Sequence, residues 1–339
     1  MKLFALNDLD RGPGRALLEA TVQMGFSEAV SRAGLEAELR AWFKPGARSS
    51  LEAELPQGLD PARRPNKVLI IAARTLPAST MRATLRARLL EADVLIKPAQ
   101  GQVALAEAIA ASDPHVSVRA FGSEDVSALD AAISEVDAVV VLGSDESVEA
   151  VRARTPHSTA FVAYGHRVSA AWLGAEDDAS LLALARDLCA WDQAGCLSPQ
   201  VVWVNSPPAT LLPRLSEALR KVEADLPMRV PKAALVARQS ARTYAEMVGH
   251  VSQTESALLC ALDVPDFRPS PGYRFLWVLP ASEPHLRAVE GHLSTLGISG
   301  PLALPLAPHV RRAPLGEMQR PPLTWTQDGL PNLTPMLRP

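Results

Sequence analysis

Between Lys67 and Ala163 short apolar runs alternate with amphipathic stretches. Lys67-Val68-Leu69-Ile70-Ile71-Ala72-Ala73, Asp93-Val94-Leu95-Ile96, Val116 to Phe121, Ala138-Val139-Val140-Val141-Leu142 and Thr159 to Ala163 have the length and apolar density of buried strands. Between them, Met81 to Glu91 (with Leu85, Leu89 and Leu90 on one face), Val103 to Ser112, Val126 to Ile133 and Ser147 to Arg154 carry helical spacing. This alternation predicts crossover units and a parallel sheet covered on both faces. Ligands on such sheets gather at the carboxyl ends of the strands. Thr75, Lys97, Gly143-Ser144 and Tyr164-Gly165-His166 are therefore expected along one edge.

The flanking regions are less regular. Residues 14–43 predict helices, with one apolar face made by Ala16, Leu17, Leu18, Ala20 and Val22 and another by Leu35, Leu39, Trp42 and Phe43. Gly34 and Pro45 punctuate them, and residues 44–66 are polar and broken by Pro and Gly, as a linker is. In the second half, Val201 to Val204 and Arg274 to Leu279 predict strands, and Leu212 to Ala224, Ala241 to Val248 and Leu286 to Leu296 predict helices. From Pro301 onward dense proline predicts irregular chain.

A chain of 339 residues, 47% of them hydrophobic, can build two domains or one large α/β domain. Its net charge of -3 weighs against nucleic acid as the main partner, which calls for a basic stripe. No apolar run reaches the ~18 residues of a membrane span. The start, Met1 to Asp8, lacks the apolar stretch of a secretory signal. The three cysteines form no disulfide pattern and fit a reducing compartment, so a cytoplasmic protein is expected. No Cys/His spacing suits zinc, and no structural metal is expected.

Cys196 is the candidate nucleophile. It follows Gly195 at a break between the amphipathic run Ser180 to Leu188 and the apolar run Val201 to Val204. A thiol there can be exposed, whereas most unpaired cysteines are small buried hydrophobes. To react it needs a cationic neighbour or a helix N-terminus, and His166 and Arg167 are candidates for the former. Cys189, on an apolar helix face, and Cys260, within Ala257 to Leu262, are expected in the core. Gly143-Ser144-Asp145-Glu146-Ser147 follows an apolar strand and opens a helix. That suits phosphate, which the N–H groups and dipole of a helix N-terminus attract, but it equally suits an ordinary Ser or Asp cap. Lys97-Pro98 could meet a ribose or phosphate, or be a solvated strand end.

The segments Asp192-Gln193-Ala194-Gly195-Cys196-Leu197-Ser198-Pro199-Gln200, Phe161-Val162-Ala163-Tyr164-Gly165-His166-Arg167-Val168-Ser169, Val140-Val141-Leu142-Gly143-Ser144-Asp145 and Pro314-Leu315-Gly316-Glu317-Met318-Gln319-Arg320-Pro321-Pro322-Leu323-Thr324-Trp325 together resemble the LuxC-type fatty acyl-CoA reductases. These form a branch of the aldehyde dehydrogenase superfamily and supply the long-chain aldehyde of bacterial luminescence. The similarity runs over residues 66–329 and is weak across 210–300. It implies an aldehyde dehydrogenase-like α/β fold with an N-terminal helical arm and linker (1–65), an NADP-binding domain (66–188) and a catalytic thioester domain (189–339).

The resemblance also implies roles. Cys196 takes the acyl group from fatty acyl-CoA. Lys97 holds the adenosine ribose or its 2′-phosphate, Gly143, Ser144 and Gly165 line the dinucleotide, and Glu317 holds the nicotinamide ribose. Gln100 stands where NAD-preferring members often carry Glu, which favours NADPH. His166 is a candidate proton donor to the departing sulfur. Val162 stands where hydrolytic members carry a glutamate base, so the acyl-thioester is expected to persist for reduction. Thr75 replaces the family's oxyanion-binding Asn; losing one such donor costs roughly 3–4 kcal/mol of transition-state stabilisation unless the hydroxyl substitutes. Two other readings remain at this stage: an acyl-thioester transferase without reductase activity, and a non-catalytic homologue serving as a binding subunit. Oligomeric state and an acyl-transfer partner enzyme are left open.

Overall fold

A computed structural model describes residues 6–229 and 232–339; Met1 to Ala5 of the expected N-terminal arm lie outside the described residues. The chain divides into two compact units. The first comprises residues 1–24, 35–166 and 322–339, the second residues 25–34 and 167–321. The division falls between His166 and Arg167, not between residues 188 and 189, because the apolar stretch after Arg167 and the helix before Cys189 belong to the second sheet and its cover.

The first unit contains α1 (Gly12–Gln23), most of α2 (Glu28–Phe43), α3 (Ala47–Glu52), β1 (Lys67–Ile71), α4 (Pro77–Leu89), β2 (Asp93–Lys97), α5 (Val103–Ala110), β3 (Val116–Val118), α6 (Val126–Ser134), β4 (Ala138–Leu142), α7 (Asp145–Arg152) and β5 (Ala160–Tyr164). Its strands form a parallel sheet in the order β3-β2-β1-β4-β5. Every side chain of β4 is buried, as a central strand covered on both faces requires. The expected parallel α/β fold is thus present here, with most boundaries within a few residues.

Helix α4 is more deeply buried than its pattern suggests. Arg82 and Arg88 lie in the interior with carboxylate partners, Arg82 with Glu38 at 2.6 Å and Arg88 with Asp113 at 2.9 Å. The last residues return to this unit. Arg82 donates to the Pro322 carbonyl, Glu54 accepts from Asn332, and Arg338 pairs with Asp137 at 2.8 Å.

The second unit contains β6 (Val168–Leu173), α8 (Asp178–Cys189), β7 (Pro199–Val204), α9 (Pro208–Asp225), α10 (Lys232–Val248), β8 (His250–Gln253), β9 (Leu258–Ala261), β10 (Phe275–Pro280), α11 (Glu283–Val289), β11 (Leu293–Ser299) and β12 (Arg311–Pro314). The sheet order is β12-β11-β6-β7-β10-β9-β8, with β8 alone antiparallel to its neighbour. Its strands alternate between two cores. Ala171, Leu173, Val202, Val204, Leu276 and Val278 face Leu184, Leu188, Leu215 and Leu219 of α8 and α9. Ala170, Trp172, Val201, Trp203, Phe275 and Trp277 face the opposite layer.

The helix expected over Leu286 to Leu296 is corrected. It stops at Val289, and after a single turn through Gly291 the chain becomes β11. Leu293 to Gly297 are buried on consecutive positions between β6 and β12, which a one-sided helix could not satisfy. Gly297 also leaves no room for a side chain, because a Cβ there would strike Met318. Strands β6, β8, β9 and β12 are further elements that the sequence pattern does not predict. No helix among the described residues is long and apolar enough to cross a membrane.

Candidate active site

The first sheet assembles one set of candidate residues by topology. Strand order reverses between β1 and β4, the switch point at which open α/β sheets bind ligands beyond the strand ends. Thr75 follows β1 in an exposed loop that Gln102 steadies by donating to the Arg74 carbonyl. Lys97 ends β2 in register with Ile71. Burial pushes its ammonium down, Glu124 opposes this, and the charge lies 5.6 Å from the centre of the Phe121 ring. Gly143 follows β4, and Gly165 and His166 follow β5, whose Tyr164 is in register with Leu142.

Ser144 is the N-cap of α7: its Oγ accepts from the Ser147 N–H at 3.3 Å. The first turn that follows carries exposed Asp145 and Glu146. Asp145 is engaged by the His166 backbone N–H at 2.9 Å, and a Cβ at Gly165 would strike that carboxylate. The glycine is thus what lets the β5 end approach the start of α7. Val162 is buried within β5, so no acid or base occupies that position.

The second unit carries Cys196 on a differently built segment. After α8 the chain passes through three successive left-handed residues, Trp191 (φ 52°), Asp192 (φ 49°) and Gln193 (φ 62°). Left-handed conformations of this kind cost on the order of 1–3 kcal/mol each, so surrounding structure must hold them. Trp191 packs where Gly34 offers no side chain and meets Phe26 edge-on at 5.3 Å. Asp192 pairs with the fully buried Arg274 at 2.5 Å. Gln193 donates to the carbonyls of Pro199 and Phe275 and accepts from the Phe275 N–H at 2.7 Å. Arg274 also donates to Ser256 Oγ and to the carbonyls of Cys189 and Leu226. Ser256, with Thr254, in turn donates to Glu223.

Beyond this anchored turn Cys196 is exposed, while Cys189 and Cys260 are buried and burial pushes both thiols up to about 12. The Cys196 carbonyl accepts from Ser169 Oγ of β6 at 2.6 Å, which fixes the backbone beneath the thiol.

Glu317 lies in the same unit, exposed on a turn that follows β12. The turn needs a left-handed Gly316 (φ +87°) against Ala183 of α8. Asp187 of α8 accepts from the N–H groups of Gly316 at 2.6 Å and Met318 at 3.0 Å. Arg311 donates to the carbonyls of Glu317 and Met318, and Gln319 donates to Ser198 Oγ at 2.7 Å.

Thr75, Lys97, Gly143, Ser144, Gly165 and His166 thus share the strand edge of the first unit, and Cys196 and Glu317 belong to the second. Sequence reasoning missed Asp187, Asp192, Gln193, Arg274 and Gln319, whose partners, backbone or side chain, lie far from them in sequence. The one available signal was Arg274, a cation heading the apolar run Phe275-Leu276-Trp277-Val278. Among the described residues no cluster of three His, Cys, Asp or Glu could hold a metal ion.

The family model for acyl-CoA reductase (LuxC) matches residues 32–339. No curated protein matches the chain. Solved structures similar to it include NADP-dependent glyceraldehyde-3-phosphate dehydrogenase from Bacillus halodurans C-125 complexed with NADP, at TM-score 0.69 and 15% identity over 99% of this chain and 84% of that one. They also include a NAD-dependent benzaldehyde dehydrogenase from Corynebacterium glutamicum, at 0.63 and 13% over 88% and 77%. A NAD-dependent aldehyde dehydrogenase from Sinorhizobium meliloti gives 0.63 and 17% over 89% and 69%. At these identities the likeness is one of fold, the α/β fold of aldehyde dehydrogenases.

Proposed function

The chain belongs to the LuxC family of acyl-CoA reductases, and from that premise we propose that it reduces a fatty acyl-CoA to the aldehyde with NADPH through an acyl-Cys196 thioester. The observation that carries this reading is the contrast among the three thiols: Cys196 is exposed at the end of an anchored left-handed turn, and Cys189 and Cys260 are buried.

Thiolate Cys196 attacks the thioester carbonyl, its bond to carbon forms, and CoA leaves as the thiol with a proton from His166 or solvent. Thr75 and the Cys196 N–H stabilise the oxyanion, where preorganised donors have their largest effect. The apolar Val162 offers water no base, so the acyl-enzyme waits for reduction. The reduced thiohemiacetal collapses to aldehyde and restores the Cys196 thiolate. NADPH, when bound, supplies the hydride. The residues present suit it: Gly143 and the α7 N-terminus for the pyrophosphate, Gly165 beside them, Glu317 for the nicotinamide ribose, and Lys97 with neutral Gln100 for the 2′-phosphate. Ser144 Oγ is already engaged as a cap, so its backbone is the part assigned to the dinucleotide. Solved neighbours of the same fold include NADP- and NAD-dependent enzymes, so the fold supports a nicotinamide dinucleotide, and the choice of NADPH rests on Lys97 and Gln100. A cytoplasmic location accords with an exposed thiol that must stay reduced to act as nucleophile.

Acyl-CoA carrying a labelled acyl group, given without NADPH, is expected to label Cys196 alone; adding NADPH is expected to release labelled aldehyde. Label on Cys189 or Cys260, or release only to a second thiol acceptor, would replace this reading with another, the latter with an acyl-thioester transferase.

A further inference from the structure

The Glu317 turn and the Cys196 segment are joined in three ways that no catalytic role requires. Asp187 sits on the last turn of α8, the helix that runs into the Trp191–Gln193 turn, and grips the amides on either side of Glu317. Gln319 reaches from the other end of the turn to Ser198, two residues past Cys196. Arg311 holds the turn's carbonyls and also donates to Thr295 Oγ1 at 3.2 Å. The Thr295 N–H bonds Ser169 Oγ, which in turn donates to the Cys196 carbonyl. The amides of the turn are thus bound on one side and its carbonyls on the other, from elements that also fix the nucleophile.

We propose that Asp187 and Gln319 are positioning residues: they hold the turn bearing Glu317 and the segment bearing Cys196 in one fixed register. The functional meaning rests on the roles assigned above to Cys196 and Glu317. Asp187 is buried, so water cannot replace its two bonds when they are lost. Gln319 is half-buried, and its removal frees one end of the turn only.

The test uses the full chain with Asp187→Asn and Gln319→Ala. Asn keeps the shape but presents one acceptor and one NH2 donor to two N–H groups. Amide exchange at Gly316 and Met318 is expected to quicken about tenfold, the size of one buried hydrogen bond lost, with the strands of the second sheet unchanged. The KM for NADPH is expected to rise by about the same factor, while acyl transfer from acyl-CoA to Cys196 stays within about twofold, since the Asp192–Arg274 pair still anchors that segment. Gln319→Ala is expected to repeat the pattern more weakly, and it decides alone if Asp187→Asn does not accumulate as folded protein. Exchange unchanged at the turn, or raised throughout the unit with acylation and KM disturbed together, overturns the proposal. Should the wild-type chain make no aldehyde, the functional reading fails by itself, and the exchange measurement, which needs no substrate, still decides the clamp.

Discussion

The five-stranded sheet brings its polar residues to one edge through strand order and direction alone, whereas the second unit presents Cys196 on a turn that its own backbone disfavours. In the first unit the Arg119–Glu135, Lys67–Glu135 and Arg154–Asp130 pairs lie near the surface and favour the ionised carboxylates. Arg119 and then Lys67 hold Glu135 down at about 2. In the second, carboxylates are buried as parts of the scaffold, and burial raises Asp187 and Asp192 despite their partners. A binding edge can be had from topology; an exposed nucleophile in a fixed pose needs local strain and a buried network to hold it.

The sharpest way to break this contrast is to remove the thiol. Cys196→Ala is expected to abolish acylation and lower aldehyde formation by at least ~10³, the scale seen when a covalent nucleophile is deleted. NADPH binding, read by fluorescence titration, is expected to survive, because the strand edge is untouched. Cys189→Ala and Cys260→Ala are expected to keep acylation and lose about 1–2 kcal/mol of stability through small cavities.

Next in size is Arg274→Met. It leaves Asp192 as a buried charge without its cation and frees Ser256 Oγ of its guanidinium donor, a change worth about 3–5 kcal/mol. Hydrogen exchange resolved by segment is expected to show the loss in the second sheet and around the Trp191–Gln193 turn, with the strands of the first sheet keeping their protection. Equal loss in both sheets would erase the distinction drawn between them.

The same contrast governs what could be read in advance. The first sheet was legible because each strand is a compact apolar run separated from the next by a helix, so pattern and order coincide. β4 and α6 fall nearly where expected. In the second sheet neighbours are far apart in sequence, with β6 between β11 and β7, and such pairing leaves no local trace. Leu293 to Ser299 carries Gly and Ser in a strand buried by its neighbours, so up to Leu296 its local pattern reads as a continuation of the helix before it. Cys196 stood out through Gly195 and the break around it. Its supports did not: nothing near Asp187 signals that it binds amides of residues 316 and 318.

Acid and base should act oppositely on Glu135 in the first unit and Asp187 in the second. Glu135, depressed to about 2, adds stability that is present above about pH 4.5 and lost as pH falls through 2. Burial raises the Asp187 carboxyl from 3.8 to about 7, so between those values the folded chain keeps a proton that the unfolded chain has lost. This contribution is complete below about pH 4 and disappears as pH rises through 7; a shift of this size corresponds to a few kcal/mol, on the order of 4 at most. Arg311 pulls the carboxyl down and Glu317 pushes it up, so both remain in place in the comparison. Urea midpoints of the wild-type chain and Asp187→Asn are expected to converge or cross between pH 5 and about pH 8, the wild type losing ground as pH rises. Parallel pH curves would show that Asp187 is ionised throughout.

The smallest effect expected lies at the strand edge, and it tests whether that edge selects the cofactor. Lys97 is half-buried and burial pushes its ammonium down, and Gln100, three residues on, is exposed and neutral. If this pair accommodates a 2′-phosphate, Lys97→Ala should raise the KM for NADPH about tenfold, one charge-assisted hydrogen bond, and leave that for NADH within about twofold. Gln100→Glu adds a carboxylate beside the same group and should shift the preference toward NADH by a similar factor without changing acylation of Cys196. Equal effects on both cofactors would assign Lys97 to the adenosine ribose 3′-hydroxyl that NADH and NADPH share, and would leave the strand edge a dinucleotide site without a preference built into it.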